Sequence, residues 1–509
     1  MIMQSQLLHH ALTEAAAQRG ASDAVVFAGK TLSWLELDFF SNRIAGAFRR
    51  RGIVTGERVV FFSSKHPLTI AGLYGAMRAG CVCVPLDTGS PASRLRQIVE
   101  DCSPSFICYS EDLQSVELKR VLQETSIPAQ TIQDLLRETD AGFSMPSETP
   151  LKASGLAYLL YTSGSTGQPK GVMLSHQNVH AFAAWAAREF DLCSNDRVAG
   201  VSPLHFDLST FDLFASALAG ATLVLAAAHS LAFPVRLAEW LEQQRITVLY
   251  TVPSVLAGLV ERGNLAGRKL DCLRLILFAG EPCPPRVLAR LLELLPHTEF
   301  ANLYGPTETN VCTFERIDRN TWDPLGPFSI GRACAGTEVV LIDQDDRLIS
   351  WPGQIGELVA YGPIVSQGYW HDEERTRLRY QPPAGVPLRG RCFRTGDFAE
   401  LNISGAFVFH GRRDHMVKIR GHRVELGEIE VALCTHPSVA EAAVIVAEER
   451  LIAFVCSSTP DLAPQLLLEH CFQRVLRHMV PAEVRILQEM PHGSTGKIDR
   501  GTLERMARG

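Results

Sequence analysis

The sequence has no surplus of positive charge, because 49 lysines and arginines stand against 55 aspartates and glutamates and leave a formal net charge of −6. A broad basic surface for nucleic acid is therefore not expected. No C-x-x-C pair occurs among the 13 cysteines, and their number is odd. This pattern argues against a metal site or a disulfide framework and favours reduced thiols in a cytoplasmic protein.

Long apolar runs are also missing. The N-terminus, MIMQSQLLHH, has no basic stretch followed by a sustained apolar core, so no secretory signal is expected. The longest apolar stretch, 215–228, is rich in alanine and interrupted by Gly220, which predicts a buried passage from helix to strand rather than a membrane span. No repeat of solenoid length is visible. A chain of 509 residues without these features is long enough for two or more globular domains.

Short apolar strands alternate with helical segments near the start of the chain. Strands are predicted at 58–62 and 81–86, and helical spacing of apolar residues is found at 41–51 and 70–78. This alternation predicts a parallel sheet covered on both faces. The stretch 110–153 has no strong periodicity and is predicted to wrap the surface as an irregular segment.

A glycine- and hydroxyl-rich stretch, YTSGSTGQPKG at 161–171, follows an apolar strand at 156–160. Its glycines let the backbone approach a ligand with N–H groups turned toward it, and its hydroxyls and lysine suit phosphate. The common P-loop ends in Gly-Lys-Ser/Thr directly before a helix, whereas here residues 171–174 form a second predicted strand and the helical pattern starts only near Ser175. A flexible surface turn is the structural alternative. The predicted triphosphate loop comprises Thr162, Ser163, Gly164, Ser165, Thr166, Gly167 and Lys170.

Two further stretches place polar residues beside apolar strands. Asp207 lies among apolar neighbours in SPLHFDLSTFDLF, where an unpaired buried carboxylate would be costly. It is therefore either a turn or capping residue or the counter-ion of a substrate ammonium group, whereas Asp212 is expected to be structural and His205 to be a core histidine. A buried strand at 275–278 ends in a glycine turn, and ligands of open α/β sheets bind beyond such strand ends. The candidates to line an adenine there are Gly280, Glu281 and Pro282.

The stretch NLYGPTET at 302–309 offers three kinds of ligand group. Tyr304 provides a face for base stacking, and Asn302 an amide edge for an adenine amino group. Glu308 is a hard oxygen ligand suited to a Mg²⁺ ion that bridges phosphates. A proline-centred turn is the structural alternative. Farther along, Asp397 follows a strand and is placed either to bind both ribose hydroxyls or to serve as an ordinary turn residue.

The stretch at 161–171 resembles the phosphate-binding signature of the adenylate-forming enzymes, which include peptide-synthetase adenylation domains, acyl-CoA synthetases and luciferases. In the same order as in that family, TLSWLEL, RAGCVCVPLD, the Asp207 stretch, the YGPTE stretch and GSTGKIDR resemble further core motifs, although Thr495 replaces the usual asparagine of the last one. The resemblance implies an α/β fold with a large N-terminal lobe of parallel-sheet βα layers and a small β-barrel part at 1–411. It also implies a hinge at 412–414 and a small mobile α+β lid at 415–509.

By resemblance, residues of this sequence take the family's roles. Lys497 would contact the α-phosphate and the substrate carboxylate, and with Glu308 and Thr162 it forms the predicted catalytic set; Asp414 would be the hinge. The implied ATP site adds Gly305, Thr307, Asp397 and Arg412 to the phosphate loop and the adenine candidates, with Glu308 as the only metal ligand. The implied amino-acid pocket consists of Phe206, Asp207, Leu208, Phe211, Tyr250, Leu277, Ala279, Leu303, Val311 and Cys312.

The resemblance implies an ATP- and Mg²⁺-dependent ligase of nonribosomal peptide or secondary-metabolite synthesis. It would form an aminoacyl-AMP and pass the acyl group to the phosphopantetheine thiol of a peptidyl carrier protein. No carrier motif follows the lid, so a separate carrier is expected, with no nucleic-acid or membrane partner. Apart from Asp207 the implied pocket is uncharged, which predicts a small apolar amino acid. The pocket is similar to that of free-standing L-prolyl-carrier-protein ligases, and L-proline is the hypothesis.

Two alternatives from other functional classes remain. The first is an acyl-CoA synthetase that acts on a carboxylic acid without an amine. The second is a non-catalytic nucleotide-binding relative, which would be expected to lack Lys497, Glu308 or Asp397. All three residues are present.

Overall fold

The structure is a computed structural model that describes residues 6–110, 115–138, 150–162, 169–323, 329–384, 386, 390–412, 416–457, 462–491 and 498–508. The strands are β1 Asp23–Phe27, β2 Lys30–Ser33, β3 Arg58–Phe62, β4 Val82–Pro85, β5 Phe106–Tyr109, β6 Ala129–Thr131, β7 Leu156–Thr162, β8 Lys170–Ser175, β9 Arg197–Gly200, β10 Thr222–Leu225, β11 Val248–Thr251, β12 Leu275–Phe278, β13 Glu299–Tyr304, β14 Thr313–Arg316, β15 Ser329–Ala333, β16 Glu338–Ile342, β17 Leu348–Ile349, β18 Ile355–Tyr361, β19 Cys392–Leu401, β20 Phe407–Arg412, β21 Met416–Ile419, β22 His422–Glu425, β23 Val439–Ala447, β24 Arg450–Ser457 and β25 Glu483–Leu487.

The α-helices are α1 Leu8–Arg19, α2 Trp34–Arg50, α3 Pro67–Ala79, α4 Ala92–Cys102, α5 Val116–Glu124, α6 Ile132–Arg137, α7 His176–Glu189, α8 Ser216–Ala219, α9 Ala228–Leu231, α10 Pro234–Gln243, α11 Pro253–Arg262, α12 Pro285–Leu294, α13 Glu373–Tyr380, α14 Leu426–Cys434, α15 Pro464–Phe472 and α16 Arg500–Ala507. A π-helical turn spans Phe211–Ala215, and 3₁₀ turns span Leu265–Gly267 and Arg477–Met479. Within the part of the chain that is described, no helix has the length and apolar character needed to cross a bilayer.

The first sheet has the strand order β6-β5-β3-β4-β7-β8, and only the last pair is antiparallel. Strand β3 shows why it is covered on both sides. Val59 and Phe61 pack in one hydrophobic core, and Val60 and Phe62 pack in another. Because side chains alternate between the faces of a strand, a continuous apolar run is the pattern of a strand buried on both faces.

The second sheet has 14 strands in the order β17-β16-β18-β19-β20-β15-β14-β13-β12-β11-β9-β10-β1-β2. Strands β13, β12, β11, β9, β10 and β1 run parallel, so the carboxyl ends of β11, β12 and β13 lie at one edge. The sheet continues through β14 into the antiparallel strands β15 to β20, the part for which a small β-barrel was expected. Because the carboxyl ends of β11, β12 and β13 lie at one edge, the candidate residues at these three strand ends lie side by side.

The C-terminal lobe consists of the hairpin β21–β22, the three-stranded sheet β23-β24-β25 and helices α14 to α16. It has its own hydrophobic cores, of which Leu433 and Phe454 are fully buried members. A lobe with its own core can move as a unit relative to the larger one. We call it the lid.

Most predicted elements of the motif regions are confirmed, but two expectations were wrong. The stretch 110–153, expected to be irregular, contains α5, β6 and α6 within its described residues, and Thr131 caps α6 by accepting a hydrogen bond from Asp134 N at 3.0 Å. The apolar spacing at 466–478 predicts a helix over that whole range, but α15 ends at Phe472. Its later apolar spacing is satisfied by turns that bury Val475 and Met479 in the lid core.

Candidate active site

The two strands that flank the predicted phosphate loop form the antiparallel hairpin β7–β8, in which Thr162 pairs with Lys170. Helix α7 follows at once, and Ser175 caps it by accepting from Asn178 N at 3.2 Å. This local structure agrees with a loop between two strands and differs from a P-loop, whose helix starts directly after its lysine. The loop residues Ser163, Gly164, Ser165, Thr166 and Gly167 lie outside the described residues.

Lys170 is buried and lies between two acidic residues from opposite lobes. Its Nζ is 3.5 Å from Glu308 Oε1 and 3.9 Å from Glu425 Oε1, and it lies 5.2 Å from the ring centre of Tyr369. Tyr369 donates its hydroxyl to Glu308 Oε1 at 2.5 Å. A buried charge is stable only when it is paired and hydrogen-bonded. The predicted phosphate lysine and the predicted metal ligand are thus direct neighbours.

Glu308 is fully buried beyond the end of β13, at the strand edge where a ligand of this sheet would bind. Mg²⁺ is usually held by one or two carboxylates together with substrate phosphates and water. Among the described residues, no group of three or more histidine, cysteine or acidic side chains is suited to hold a metal by itself. Glu308 therefore fits a Mg²⁺ ion that arrives with a nucleotide, and the residues do not form an all-protein metal cage.

The predicted ribose and base residues also lie together. Tyr304, at the end of β13, donates its hydroxyl to Asp397 Oδ2, and the ring of Phe409 lies 6.1 Å from that of Tyr304. Asp397 is buried within β19, and its backbone N–H donates to Thr395 Oγ1 at 3.0 Å. The backbone of Arg412 pairs with Asp397 in the neighbouring strand, while nothing is described of the Arg412 side chain. The tyrosine hydroxyl thus fixes the orientation of the carboxylate.

Asn302 is buried in β13, and its amide Nδ2 donates to the backbone oxygen of Ser329 at 2.9 Å. This hydrogen bond ties β13 to β15 and orients the amide. An adenine amino group donates hydrogen bonds, so the amide oxygen of Asn302 is the atom that would accept one. Its role at the base stays a prediction.

One pocket between the lobes collects many of the predicted residues. The large lobe contributes residues from β7, from the Asp207 stretch and from the ends of β11, β12 and β13, and the lid contributes Gly421, His422, Leu476 and His478. Asp207 accepts a hydrogen bond from Thr210 N at 2.9 Å through its backbone carbonyl, which folds the Asp207 stretch into a turn at the pocket wall. The predicted residues that line this pocket are Thr162, Phe206, Asp207, Leu208, Tyr250, Ala279, Gly280, Gly305 and Thr307.

Behind the pocket lies the apolar remainder of the predicted amino-acid site. The rings of Phe211 and Tyr250 are 5.2 Å apart and nearly perpendicular, and Tyr250 is in register with Leu277 of the neighbouring strand. Tyr250 is fully buried, and among the described residues its hydroxyl has no hydrogen-bond partner. One hydrophobic core contains the set Leu208, Phe211, Tyr250, Leu277, Ala279, Leu303, Val311 and Cys312.

A second carboxylate lies under this site. Asp212, in the π-helical turn, is buried, and burial raises its pKa well above the usual value, while the charge of Lys65 acts in the opposite direction. Burial in turn lowers the pKa of Lys65 to about 8, and its Nζ donates to the backbone oxygens of Gly200 and Val201 at 2.9 and 2.7 Å. Asp212 lies within the π-helical turn, and its structural role stays a prediction.

The turn between β21 and β22 brings the lid to the predicted adenine residues. Glu281 accepts from Gly421 N at 2.7 Å and from Ser254 N at 2.5 Å, so its carboxylate joins the lid to the start of α11. Gly421 has a left-handed backbone with φ of 77°, and an added Cβ would lie 2.3 Å from Val252 Cγ1. Sequence reasoning assigned Glu281 to the base and gave no signal for this contact, which joins residues 140 positions apart.

A second contact between the lobes lies along α4. Arg94 pairs with Glu428 of α14, and both side chains are buried. Beside them, Ser93 donates its hydroxyl to the backbone oxygen of Gln473 at 3.0 Å. The family resemblance also predicts that the lid segment 418–425 approaches the site after the lid rotates; of this segment, Gly421 and His422 line the pocket and Glu425 lies 3.9 Å from Lys170. Lys497 and Asp414 lie outside the described residues.

The geometry defines an ATP-dependent adenylate-forming class of protein, and comparison with known sequences agrees. The model of the AMP-binding enzyme family matches residues 12–370, and that of the AMP-binding enzyme C-terminal domain matches residues 428–497. The chain belongs to the AMP-binding enzyme family.

Two curated relatives match the chain over nearly its whole length. An L-proline–[L-prolyl-carrier protein] ligase of Pseudomonas fluorescens is 35% identical and covers 99% of this chain and 100% of its own. A ligase of the same name from Streptomyces coelicolor is 37% identical and covers 96% of this chain and 94% of its own. The solved adenylation domain AlmE of Vibrio cholerae, in complex with glycyl-adenosine-5'-phosphate, has 23% identity, a TM-score of 0.85 and coverage of 100% and 99%, which shows the same fold.

Proposed function

We propose that this protein activates L-proline with ATP as prolyl-AMP, releasing pyrophosphate, and then transfers the prolyl group to the phosphopantetheine thiol of a separate peptidyl carrier protein, releasing AMP. The single observation that carries the proposal is the position of Asp207. Asp207 lines the pocket between the lobes, and the other residues predicted to contact the amino-acid side chain are apolar and largely buried. Full-length similarity to two proline ligases supports the choice of amino acid.

The substrate ammonium group would pair with the Asp207 carboxylate. A carboxylate at the edge of an apolar pocket favours a ligand that brings a positive charge. The apolar set behind it would enclose the ring of proline, and a charged side chain would be buried there without a partner. Both effects select for a small apolar amino acid.

In the first step the proline carboxylate oxygen forms a bond to the α-phosphorus of ATP, and the bond from that phosphorus to pyrophosphate breaks. Two anions must approach each other, so positive charge and positioning provide most of the catalysis. Lys497 would contact both anions, Lys170 and the hydroxyls of the phosphate loop would hold the outer phosphates, and Asp397 with Tyr304 would orient the ribose. Mg²⁺ held by Glu308 would supply charge neutralisation on the departing pyrophosphate.

For the second step, the lid would rotate about Asp414 between residues 1–411 and 415–509. This movement would remove Lys497 and place the segment 418–425 at the site. The contacts of Gly421 and Glu425 with the large lobe support this assignment of the present lid position to the transfer step. The carrier thiol would then form a bond to the prolyl carbonyl carbon as the bond to AMP breaks. A cytoplasmic location stays a prediction.

Amino-acid-dependent ATP–pyrophosphate exchange tests the first step. We expect the highest exchange with L-proline among the proteinogenic amino acids, and transfer of labelled proline to a phosphopantetheine-bearing carrier. A clear preference for a charged or large aromatic amino acid would contradict the proline assignment. Absence of AMP formation with every acid offered would contradict the enzyme class.

Replacement of Asp207 distinguishes an amino-acid ligase from the main alternative, an acyl-CoA synthetase. For an amino-acid ligase, Asp207→Ala should reduce exchange by at least about 100-fold, because losing one partner of a buried ion pair costs about 3–5 kcal/mol. For an acyl-CoA synthetase acting on a plain carboxylic acid, the same substitution should leave AMP formation with that acid unchanged. A panel of amine-free analogues assayed with wild type and variant distinguishes the two.

A further inference from the structure

Three histidines meet where the lid covers the pocket. His422, the first residue of β22, and His478, in the 3₁₀ turn after α15, both belong to the lid, and their rings are stacked with centres 3.7 Å apart and planes inclined by 20°. The large lobe contributes Phe206, whose ring lies edge-on to His422 at 5.0 Å, and His205, which lies beside Phe206 at 5.3 Å. All four residues line the same pocket. The large lobe thus partly shields a lid imidazole pair from water.

The charged groups around this pair favour neutral rings. Positive charge comes from Arg420 beside His422 and from Arg94 of α4 beside His478, and each ring also faces His205 of the large lobe. Asp87, after β4, is the acidic group that acts on His422. Arg94 itself is already paired with Glu428. Lys65 and Arg94 add positive charge around His205, and Asp87 acts on it in the opposite direction.

Burial has the largest effect on both lid imidazoles. It lowers the pKa of His422 to about 4, with a further contribution from His205, and lowers the pKa of His478 to about 2, with further contributions from His422 and Arg94. Two stacked rings at this distance cannot both carry charge without repulsion. Near neutral pH the pair is therefore neutral in this lid position.

We propose that His422 and His478 are positioning residues for the lid, which favour the present position while the pair is neutral and release it when the pair takes up a proton. This inference rests on the proposed function, in which the present position serves transfer to the carrier. Low pH should therefore slow transfer to the carrier through this effect. Adenylate formation should not be slowed by it, because the lid is turned away during that step.

The direction follows from the difference between the two positions. In the turned-away position the pair regains water and titrates near the ordinary histidine value of 6.5. Because the pKa is lowered in the present position, preference for that position is fully present above about 6.5 and is lost as the pH falls below it. Both rings belong to the lid, so the stack persists and takes up one proton first. A drop to one unit below 6.5 should lower the equilibrium constant for the present position over the turned-away position about tenfold.

The test compares the two half-reactions of the full-length protein between about pH 5 and pH 8. Proline-dependent pyrophosphate exchange reports the first, and single-turnover transfer from preformed prolyl-AMP to a phosphopantetheine-bearing carrier reports the second. The thiol alone gives transfer a tenfold loss per pH unit, because only the thiolate reacts. Below about pH 6.5 we expect the transfer rate of wild type to fall about 100-fold per pH unit, because protonation of the lid pair adds a second proton to that of the thiol.

His478→Phe and His478→Gln remove the titrating ring with and without an aromatic substitute, and His422→Phe removes its partner. In the double variant His422→Phe/His478→Phe, the pH dependence of the transfer rate below pH 6.5 should fall to that of the thiol alone. This expectation holds whatever the absolute rate of the variant. His436→Phe is the matched control, because His436 lies in a second lid histidine pair, 5.1 Å from His470. It should keep the wild-type slope.

A wild-type transfer slope of a single proton, or a double variant that retains the steeper slope, overturns the inference. This result is distinguishable from failure of the proposed function. A protein that exchanges pyrophosphate with proline and loads the carrier, but with the slope of the thiol alone, keeps its function and loses the histidine role. A protein that activates no amino acid loses the function itself.

Discussion

At the scale of single residues, the hydroxyl of Tyr304 does more than the stacking role expected of its ring. It donates to Asp397, the predicted ribose ligand, and both groups are buried. A hydrogen bond to a charged group contributes about 1.5–3 kcal/mol. The side chain therefore orients the carboxylate, while stacking of its ring on the base stays a prediction.

Tyr304→Phe should raise the KM for ATP about tenfold in pyrophosphate exchange, because the Asp397 carboxylate loses the donor that orients it. The KM for proline should stay within about twofold, since the amino-acid pocket is lined by other residues. Steady-state kinetics with each substrate varied in turn provide the measurement.

Tyr158→Phe is the control, because the Tyr158 hydroxyl is also buried but has no hydrogen-bond partner within the part of the chain that the structure describes. It should leave both KM values near those of wild type. An equal rise in both KM values for Tyr304→Phe would indicate general damage to the site and contradict the orienting role.

Residue chemistry could be predicted from the sequence where a side chain acts on its own strand end. Tyr304 and Asp397 were each assigned to the nucleotide from local context, and the structure shows that they touch. Their hydrogen bond could not be predicted, because it joins strands 93 residues apart. The proximity of Lys170 and Glu308 was hidden for the same reason.

At the scale of elements, the carboxyl ends of β11 and β12 bind the turn between β21 and β22. Glu281 accepts hydrogen bonds from the backbone N–H of Ser254, at the start of α11, and from the backbone N–H of Gly421 in the lid. One carboxylate thus links a helix start in the large lobe with a hairpin in the lid. Its two oxygens are used on different lobes.

Glu281→Gln should slow transfer to the carrier about tenfold while pyrophosphate exchange stays within about threefold. The amide keeps one acceptor oxygen and replaces the other with a donor, so one of the two backbone N–H groups loses its partner at a cost of about 1–3 kcal/mol. Separate assays of the two half-reactions measure this.

Glu261→Gln provides the comparison, because Glu261 lies in helix α11, whose start Glu281 contacts, but is exposed and pairs with its neighbour Arg262. Neither half-reaction should change with it. If Glu281→Gln slows exchange as much as transfer, Glu281 acts at the nucleotide and not through the lid.

Element boundaries followed the sequence wherever a short apolar run was bounded by turn residues. Strand β12 at Leu275–Phe278 was predicted to the residue. The region after Ser110 was missed, because its helices are short and their signals are caps such as Ser115 and Thr131 rather than long periodic faces. Strand order in the 14-stranded sheet depends on pairings far apart in sequence, which no local pattern contains.

At the scale of the whole molecule, the lobes are joined by a buried ion pair. Arg94 lies in α4 and Glu428 in α14, and the apolar residues of these helices pack in separate hydrophobic cores, one on each side of the boundary between the lobes. Breaking a buried pair by removing one partner costs about 3–5 kcal/mol. Because the lobes can separate, this cost is relieved by moving the lid rather than by unfolding either core.

Arg94→Met should increase amide hydrogen exchange at the facing sides of α4 and α14 about 100-fold, while the strands of the first sheet keep their protection. Hydrogen exchange read out by mass spectrometry measures both regions in one experiment. The double variant Arg94→Met/Glu428→Met should recover most of the protection, because an apolar pair replaces the ion pair without leaving a buried charge.

Arg96→Met is the matched control in the same helix. Arg96 pairs with Glu124 inside the large lobe, and both side chains are about half exposed at 46% and 48%. Exposed pairs contribute little, about 0–1 kcal/mol. Faster exchange across the whole large lobe in Arg94→Met would show that the pair supports folding of that lobe and not the lid contact.

The close approach of Gly421 to Val252 has a practical consequence for isolating the reaction's intermediate. Because an added methyl group would lie 2.3 Å from Val252 Cγ1, alanine at 421 acts as a spacer that keeps the two bodies apart in this arrangement only. The Gly421→Ala protein should still form the aminoacyl adenylate but should not transfer the aminoacyl group to a thiol. Prolyl-AMP would then accumulate in stoichiometric amount on the enzyme and could be recovered intact by rapid desalting.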